Sequence, residues 1–339
     1  MDWARSNFPL PFFRTKASSA ALIAALLLLA IPRGAGAADA KAEAQPAKAS
    51  RTIPSGIGGM AWLEERRLLV VHDTKVGSEG PRIGVLEIPQ SGSPRYREAV
   101  TDWKGAGGES NDLEALAAIP GRKGEFFALE SGFYKGKYGR LIRLRAKITG
   151  DEQDAVCNVE TVSAWKLPTD TVSLEGLVCL DRGDGKLLII VGERGGEVSA
   201  ESVSGKLSWT EIKLDEPREL KFEAPSQAPL RIPAEGWANP KAVRGCADLY
   251  VDSANQLWSV AAEDPGDAGP FRSVIYQVGS VDAQATPTLT PVSKATPRWR
   301  FDGAKIEALA APLAGVGVLS VATDDENYGA MWRPVDAAK

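Results

Sequence analysis

An all-β ring of five four-stranded blades, a β-propeller, is the fold class this sequence predicts, and three observations predict it. The first is repetition. One phrase opens a strand and closes a second strand on an acidic residue, and it occurs five times. The copies are SGIGGMAWL…RLLVVHDT, NDLEALAAI…EFFALES, SLEGLVCL…KLLIIVGER, GCADLYVD…QLWSVAAED and KIEALAAP…VGVLSVATDD. Aligning Gly58, Glu114, Glu175, Ala247 and Glu307 spaces the copies roughly 60 residues apart, a strand-built repeat that closes into a radial array. Second, the apolar runs are short and bounded by Gly, Pro, Asp and Asn, and none beyond residue 40 carries a helical period over a helix length. Third, Trp103, Trp165, Trp237 and Trp299 recur in phase, each shortly before the next copy, which reads as the end of a fourth strand.

The elements follow in chain order. Residues 1–37 carry Arg5, Arg14 and Lys16, then an apolar run, then Ala35-Gly36-Ala37, the layout of a cleaved secretory signal, with a retained anchor as the alternative. Residues 38–50 form an Ala/Lys/Pro-rich polar leader with nothing to bury. Residues 51–339 then make a single propeller domain. In the second unit the strands fall at 113–119, 125–130, 140–145 and 156–165. The third unit is the longest, and its Pro-rich segment 214–233 reads as an insertion loop; a sixth blade would have to hide there. The fifth unit lacks a fourth strand, so a strand near residues 50–54 is expected to complete it and remove the last exposed sheet edge.

Charge narrows the partners. The chain has net charge −4, more negative still without the signal and its Arg5, Arg14, Lys16 and Arg33. An acidic exported protein is not built for nucleic acid or an anionic membrane surface. A small polar ligand or a protein is the expected partner, with the chain a periplasmic or secreted monomer. Of three cysteines, Cys179 lies in the apolar run GLVCL and reads as a core thiol, while Cys157 and Cys246 are available for a disulfide.

In a propeller the start of each first strand and the end of each second strand share one rim of the central channel. That rim collects Glu114 with Glu130, Glu175 with Glu193, and Glu307 with Asp324, extended by Asp73, Asp248 and Glu263. Converging carboxylates suit a hard cation such as calcium, which takes six to eight oxygens. They also raise one another's pKa, as acid/base chemistry requires. Acids repeated in every blade equally serve as blade clamps. Gly58-Gly59, in place of an acid, leaves room at the axis. His72, the only histidine, excludes multi-histidine zinc or copper sites and stands as a candidate general base. Arg82, Arg140 and Arg272 at third-strand starts, Lys135 in SGFYKGKYGR, Arg194 in VGERGGE and Asp73 are candidate ligand-binding residues.

The phrases LEALA, LEGLV and IEALA, with ADL…VAAEDPGDAGPFRSVIYQVG, resemble a family of secreted bacterial β-propellers catalogued as a domain of unknown function, over roughly residues 55–334. More distantly they are similar to phytase-like and esterase-like propellers, whose blades open with an EGL-type phrase. Gly58 and Ala247 interrupt the acidic pattern. The closer resemblance implies a fold, and the distant one a metal-assisted ester or phosphoester hydrolase. Two functions are therefore expected. One is a binding propeller that holds a small polar or anionic ligand or a divalent cation in its funnel. The other is a calcium-dependent phosphoesterase with Glu130, Glu193, Glu263 and Asp324 as metal ligands and His72 or Glu114 handling protons.

Overall fold

The computed structural model describes residues 52–132, 134, 137–150, 154–171, 173–217, 219–222, 226–281, 288–289 and 295–337. The expected signal and leader (1–50) and Lys135 lie outside these residues. Blade one comprises β1 (Ile57–Glu64), β2 (Arg67–His72), β3 (Ile83–Glu87) and β4 (Arg95–Glu98). After β5 (Val100–Asp102), blade two comprises β6 (Leu113–Ala118), β7 (Glu125–Glu130), β8 (Arg140–Thr149) and β9 (Val156–Lys166). Blade three is β10 (Leu174–Gly183), β11 (Lys186–Val198), β12 (Ser202–Lys213) and β13 (Gln227–Pro233). Blade four is β14 (Val243–Val251), β15 (Gln256–Glu263) and β16 (Arg272–Ser280), with β17 (Thr288–Leu289) and β18 (Pro297–Asp302) both pairing with β16. Blade five is β19 (Ile306–Ala310), β20 (Leu319–Thr323) and β21 (Trp332–Val335). The innermost strands pack in a cycle, β1 on β6, β6 on β10, β10 on β14, β14 on β19 and β19 back on β1. The ring has five blades. No helix among the described residues is long and apolar enough to cross a membrane.

The second strands read as apolar runs, broken only by buried Ser259 in β15 and Ser320 in β20, because each is buried on both faces, and successive side chains go to opposite seams. In EFFALE, Phe126 and Ala128 enter the core shared with blade one, while Phe127 and Leu129 enter the core shared with blade three. In RLLVVH, Leu68 and Val70 face blade five, and Leu69 and Val71 face blade two. Five such cores, one per seam, hold the ring together. Phe127 stands edge-on to fully buried Trp165, with ring centroids 5.5 Å apart, and truncating it to alanine should cost about 3–5 kcal/mol.

Four expectations need correction. Trp165 and Trp299 do lie on outer strands, but Trp103 follows β5, which runs parallel to β9 and belongs to the edge of blade two. Trp237 lies beyond the end of β13. The segment read as an insertion contains β13 itself, hydrogen-bonded to β12 from Ser202↔Pro233 to Ser208↔Gln227, so it supplies a blade strand rather than a loop. Among the described residues no strand precedes Ile57. Blade five keeps three strands, and the ring closes through side chains: Ile53 packs into the blade five–blade one core, Trp62 donates to the Ala311 carbonyl at 2.8 Å, and the Gly56 amide donates to Asp324 at 2.6 Å. Finally, all three cysteines are free and buried, with Cys157 and Cys246 in the cores of different seams; burial pushes the Cys157 thiol up to about 12.

Candidate functional site

Each first strand carries an irregularity where it meets the second. The ladder slips between Ile57 and Gly59, Leu113 and Ala115, Leu174 and Gly176, and Ile306 and Ala308. The residues left over are Gly58, Glu114, Glu175 and Glu307. A bulged residue is unpaired in the ladder and its side chain is re-aimed, here toward the channel axis. In blade four the first pair is Val243↔Glu263, so the place of Glu114 falls to Arg244 and not, as the sequence alignment has it, to Ala247. Ala247 is buried in the core between blades four and five.

Two more positions complete the rim. The residue before each first strand accepts a backbone hydrogen bond from the residue after the second strand or, in blade three, from Arg194 within β11. These pairs are Gly56 with Asp73, Asp112 with Ser131, Ser173 with Arg194, Ala242 with Asp264, and Lys305 with Asp324. Strand alternation turns these amide donors to the axis and turns their predecessors away from it. That parity relocates three expected metal ligands. Glu130 is wholly buried inside blade two, bonded by Arg140 Nη2 at 2.6 Å, Arg140 Nε at 2.9 Å, and the amides of Asn111 and Gly139. Glu263 accepts from the Asn239 amide at 2.5 Å and faces Arg272 at 3.9 Å. Glu193 is paired with Lys206 at 2.8 Å. They are clamps within blades.

The expected ligand-binding arginines divide the same way. Arg140 also binds the carbonyls of Ala106, Gly108 and Glu109, and Arg82 binds Ser110 O at 3.2 Å and faces Glu109, so both hold the linker between blades one and two. Arg272 ties Asp302 at 2.7 Å and the Gly236 carbonyl at 2.9 Å. Arg194 does reach the rim, 3.4 Å from Glu175. His72 does not: its Nδ1 lies 3.1 Å from the Ser55 carbonyl and its Nε2 3.1 Å from the Tyr96 hydroxyl, so both nitrogens are engaged inside blade one. Burial holds its pKa down to about 4 against the pull of the Ser55 bond, leaving a neutral structural imidazole. Gly58-Gly59 leave no vacancy either. A Cβ on Gly58 would lie 2.6 Å from the Leu113 carbonyl oxygen and 3.0 Å from Glu114 Oε2, because blade two fills that space.

The rim is divided electrically. On one side Lys305, 1% exposed, contacts Asp324 at 3.0 Å, Glu307 at 3.3 Å and Asp264 at 3.7 Å, and also bonds Glu326. Arg244 bridges Asp264 at 2.6 Å and Glu307 at 2.8 Å. Burial alone would lower the Lys305 pKa, but Glu307 and Asp324 outweigh it and hold the ammonium charged. Burial drives the Glu307 carboxyl up to about 8 despite Lys305 and Arg244. On the other side Asp73, Asp112 and Glu114 each offer a carboxylate oxygen within 4.8 Å of the others. Lys75, 3.4 Å from Asp112, is their nearest ion-pair partner among the described residues. Burial, then Asp324 and Asp112, raise Asp73 to about 6; burial, then Glu175 and Asp112, raise Glu114 well above the ordinary range. Asp112 and Lys305, which precede their strands, were not anticipated; the position just ahead of each repeated phrase was the signal.

No family model matches the chain, and no curated protein matches it. Among solved structures the chain is similar to a GH43_12 protein retrieved from a capybara gut metagenome, with TM-score 0.42 and 10% identity over 76% of this chain and 44% of that one. It is also similar to the WD40 β-propeller domain of Doa1, with TM-score 0.33 and 8% identity over 85% of this chain and 95% of that one. The chain spans less than half the length of the GH43_12 protein. These likenesses assign no chemistry to this chain.

Proposed function

We propose that this is an exported binding propeller whose funnel holds a divalent cation between Asp73, Asp112 and Glu114 and, through it, a small polar or anionic ligand. The observation that carries this reading is the triad: three carboxylates with oxygens within 4.8 Å, among which Glu114 has no hydrogen bond or ion pair from the described residues. Like charges held so close in a desolvated channel repel, and a cation converts that repulsion into coordination. The donor set is all oxygen, and the one histidine is occupied elsewhere, which favours calcium over zinc or copper. Three protein carboxylates do not fill a calcium shell of six to eight oxygens, so a ligand can supply the rest.

The test is thermal unfolding of the chain with calcium, other divalent cations and chelator, repeated on Glu114→Gln. A ligand of the folded state raises stability with the logarithm of its concentration over its dissociation constant. A calcium-dependent rise in melting temperature that Glu114→Gln removes supports the reading; no shift with any cation overturns it. A second reading, a calcium-dependent phosphoesterase or esterase of the phytase-like type, draws support from Glu307, a carboxyl on the same rim whose pKa burial raises. Chelator-sensitive hydrolysis of a generic phosphoester, lost in Glu307→Gln, would favour it.

A further inference from the structure

A cavity of about 220 Å³ opens beside the triad, lined by Lys75, Asn111, Asp112, Ser131, Gly132, Tyr134 and Ser173. Asp112 belongs to both the cavity and the triad, so a molecule seated in the cavity lies next to the place proposed for the cation. The volume lies below that of pockets for drug-sized ligands and suits a molecule of roughly monosaccharide size.

Its polar groups are directional. Asn111 is 4% exposed and rigidly held: its backbone amide donates to Glu130 at 3.0 Å and its Oδ1 accepts from the Val76 amide at 3.0 Å. Among the described residues nothing accepts from its Nδ2, which leaves an amide donor available at the cavity wall. Asp112 Oδ1 is buried and accepts no hydrogen bond, although the Lys75 ammonium stands 3.4 Å away. Lys75 keeps 63% of its side chain exposed and is free to swing between Asp112 and an incoming anion. Ser131 and Ser173 offer hydroxyls, and Tyr134 a ring face.

We infer that this cavity seats a sugar acid, with its carboxylate against Lys75 and Asn111 and its hydroxyls shared between Ser131, Ser173 and the cation at the triad. The inference rests on the cation reading above. A monoanion is preferred to a phosphate for two reasons on the same wall. Among the described residues no arginine lines the cavity to grip a phosphate bidentately, and a dianion would face stronger repulsion from Asp73, Asp112 and Glu114. A neutral sugar would give the exposed Lys75 ammonium no partner beyond Asp112.

The experiment is isothermal titration of the whole chain with galacturonate, galactose and a sugar phosphate, in saturating calcium and in chelator, on wild type and Lys75→Met. Calcium binding is measured separately on both proteins. Galacturonate is expected to bind only with calcium, and about tenfold more weakly to Lys75→Met, the loss of one charge-assisted bond. Calcium itself should bind Lys75→Met more tightly, since a competing ammonium is gone; opposite signs in one variant exclude a folding defect. Calcium binding without galacturonate binding overturns this inference alone, whereas absence of calcium binding sinks the cation reading with it. Equal binding of galactose, binding of the sugar phosphate alone, or unchanged galacturonate affinity in Lys75→Met also overturns it.

Discussion

Asp73→Asn should stabilise the metal-free protein at neutral pH, a result opposite to that of most substitutions of a rim residue. The Asp73 carboxyl is raised from 3.8 to about 6, by burial first and then by Asp324 and Asp112. A group whose folded pKa lies above its unfolded value stabilises below the unfolded pKa and loses that contribution as pH rises through the folded pKa. Below about pH 3.8 Asp73 is therefore neutral and harmless, and above about pH 6 it carries its full cost. The shift corresponds to roughly 3 kcal/mol, reduced to about 2 because part of the side chain meets solvent. Asparagine keeps the shape and removes the charge. Chemical denaturation in chelator from acid to neutral pH should show the variant about 2 kcal/mol more stable than wild type near neutrality, with the two curves converging at low pH. Saturating calcium should reverse the order, because the wild type regains through coordination what it lost to repulsion. A variant that is less stable at neutral pH, or one that responds to calcium as the wild type does, would refute the account of this rim.

Other perturbations separate clamps from site. Glu130→Gln leaves Arg140 buried without its anion and should cost about 3–5 kcal/mol in denaturation while leaving the calcium-induced shift intact. Gly56→Ala should lower the melting temperature and abolish the calcium response together: Gly56 has φ +77°, and a Cβ there would stand 2.2 Å from Asp73 Oδ1. His72, lowered from 6.5 to about 4, contributes stability that is present above pH 6.5 and lost as pH falls to 4. In the wild type the gain from Asp73 opposes this loss, so Asp73→Asn should show the steeper acid limb in a pH series of melting temperatures.

The blade count was legible because burial on two faces writes itself into sequence as apolar runs, uninterrupted in LLVV, FFAL and LLII and broken only by a buried serine in LWSVAA and LSVA, which recur in phase. The site was legible in position but not in parity. Counting to the last acid of each second strand selects Glu130, Glu193 and Glu263, whereas the pleat turns the following residue to the axis; where the repeat ends in two polar residues, as in HDT and TDD, the second is the one that faces inward. Arg244 was missed because the ladder of blade four slips by more than one residue, which sequence spacing cannot register. Asp112 and Lys305 were missed because they sit outside the strands that were being aligned.

The bulge at the head of each first strand has a consequence for how such a ring can change. A residue that the ladder does not pair is not required by the sheet to have any particular shape, and in this chain that place holds Gly58, Glu114, Glu175 and Glu307 in four blades, while in blade four Arg244, paired with Ala262, takes the corresponding position. Those places behave as interchangeable sockets mounted on a fixed frame. Only Gly58 is not exchangeable, since the Leu113 carbonyl already stands where its side chain would go. Selection can therefore rewrite the charge pattern of the channel one blade at a time, moving from cation to anion to neutral ligands, while the seams that confer stability remain untouched.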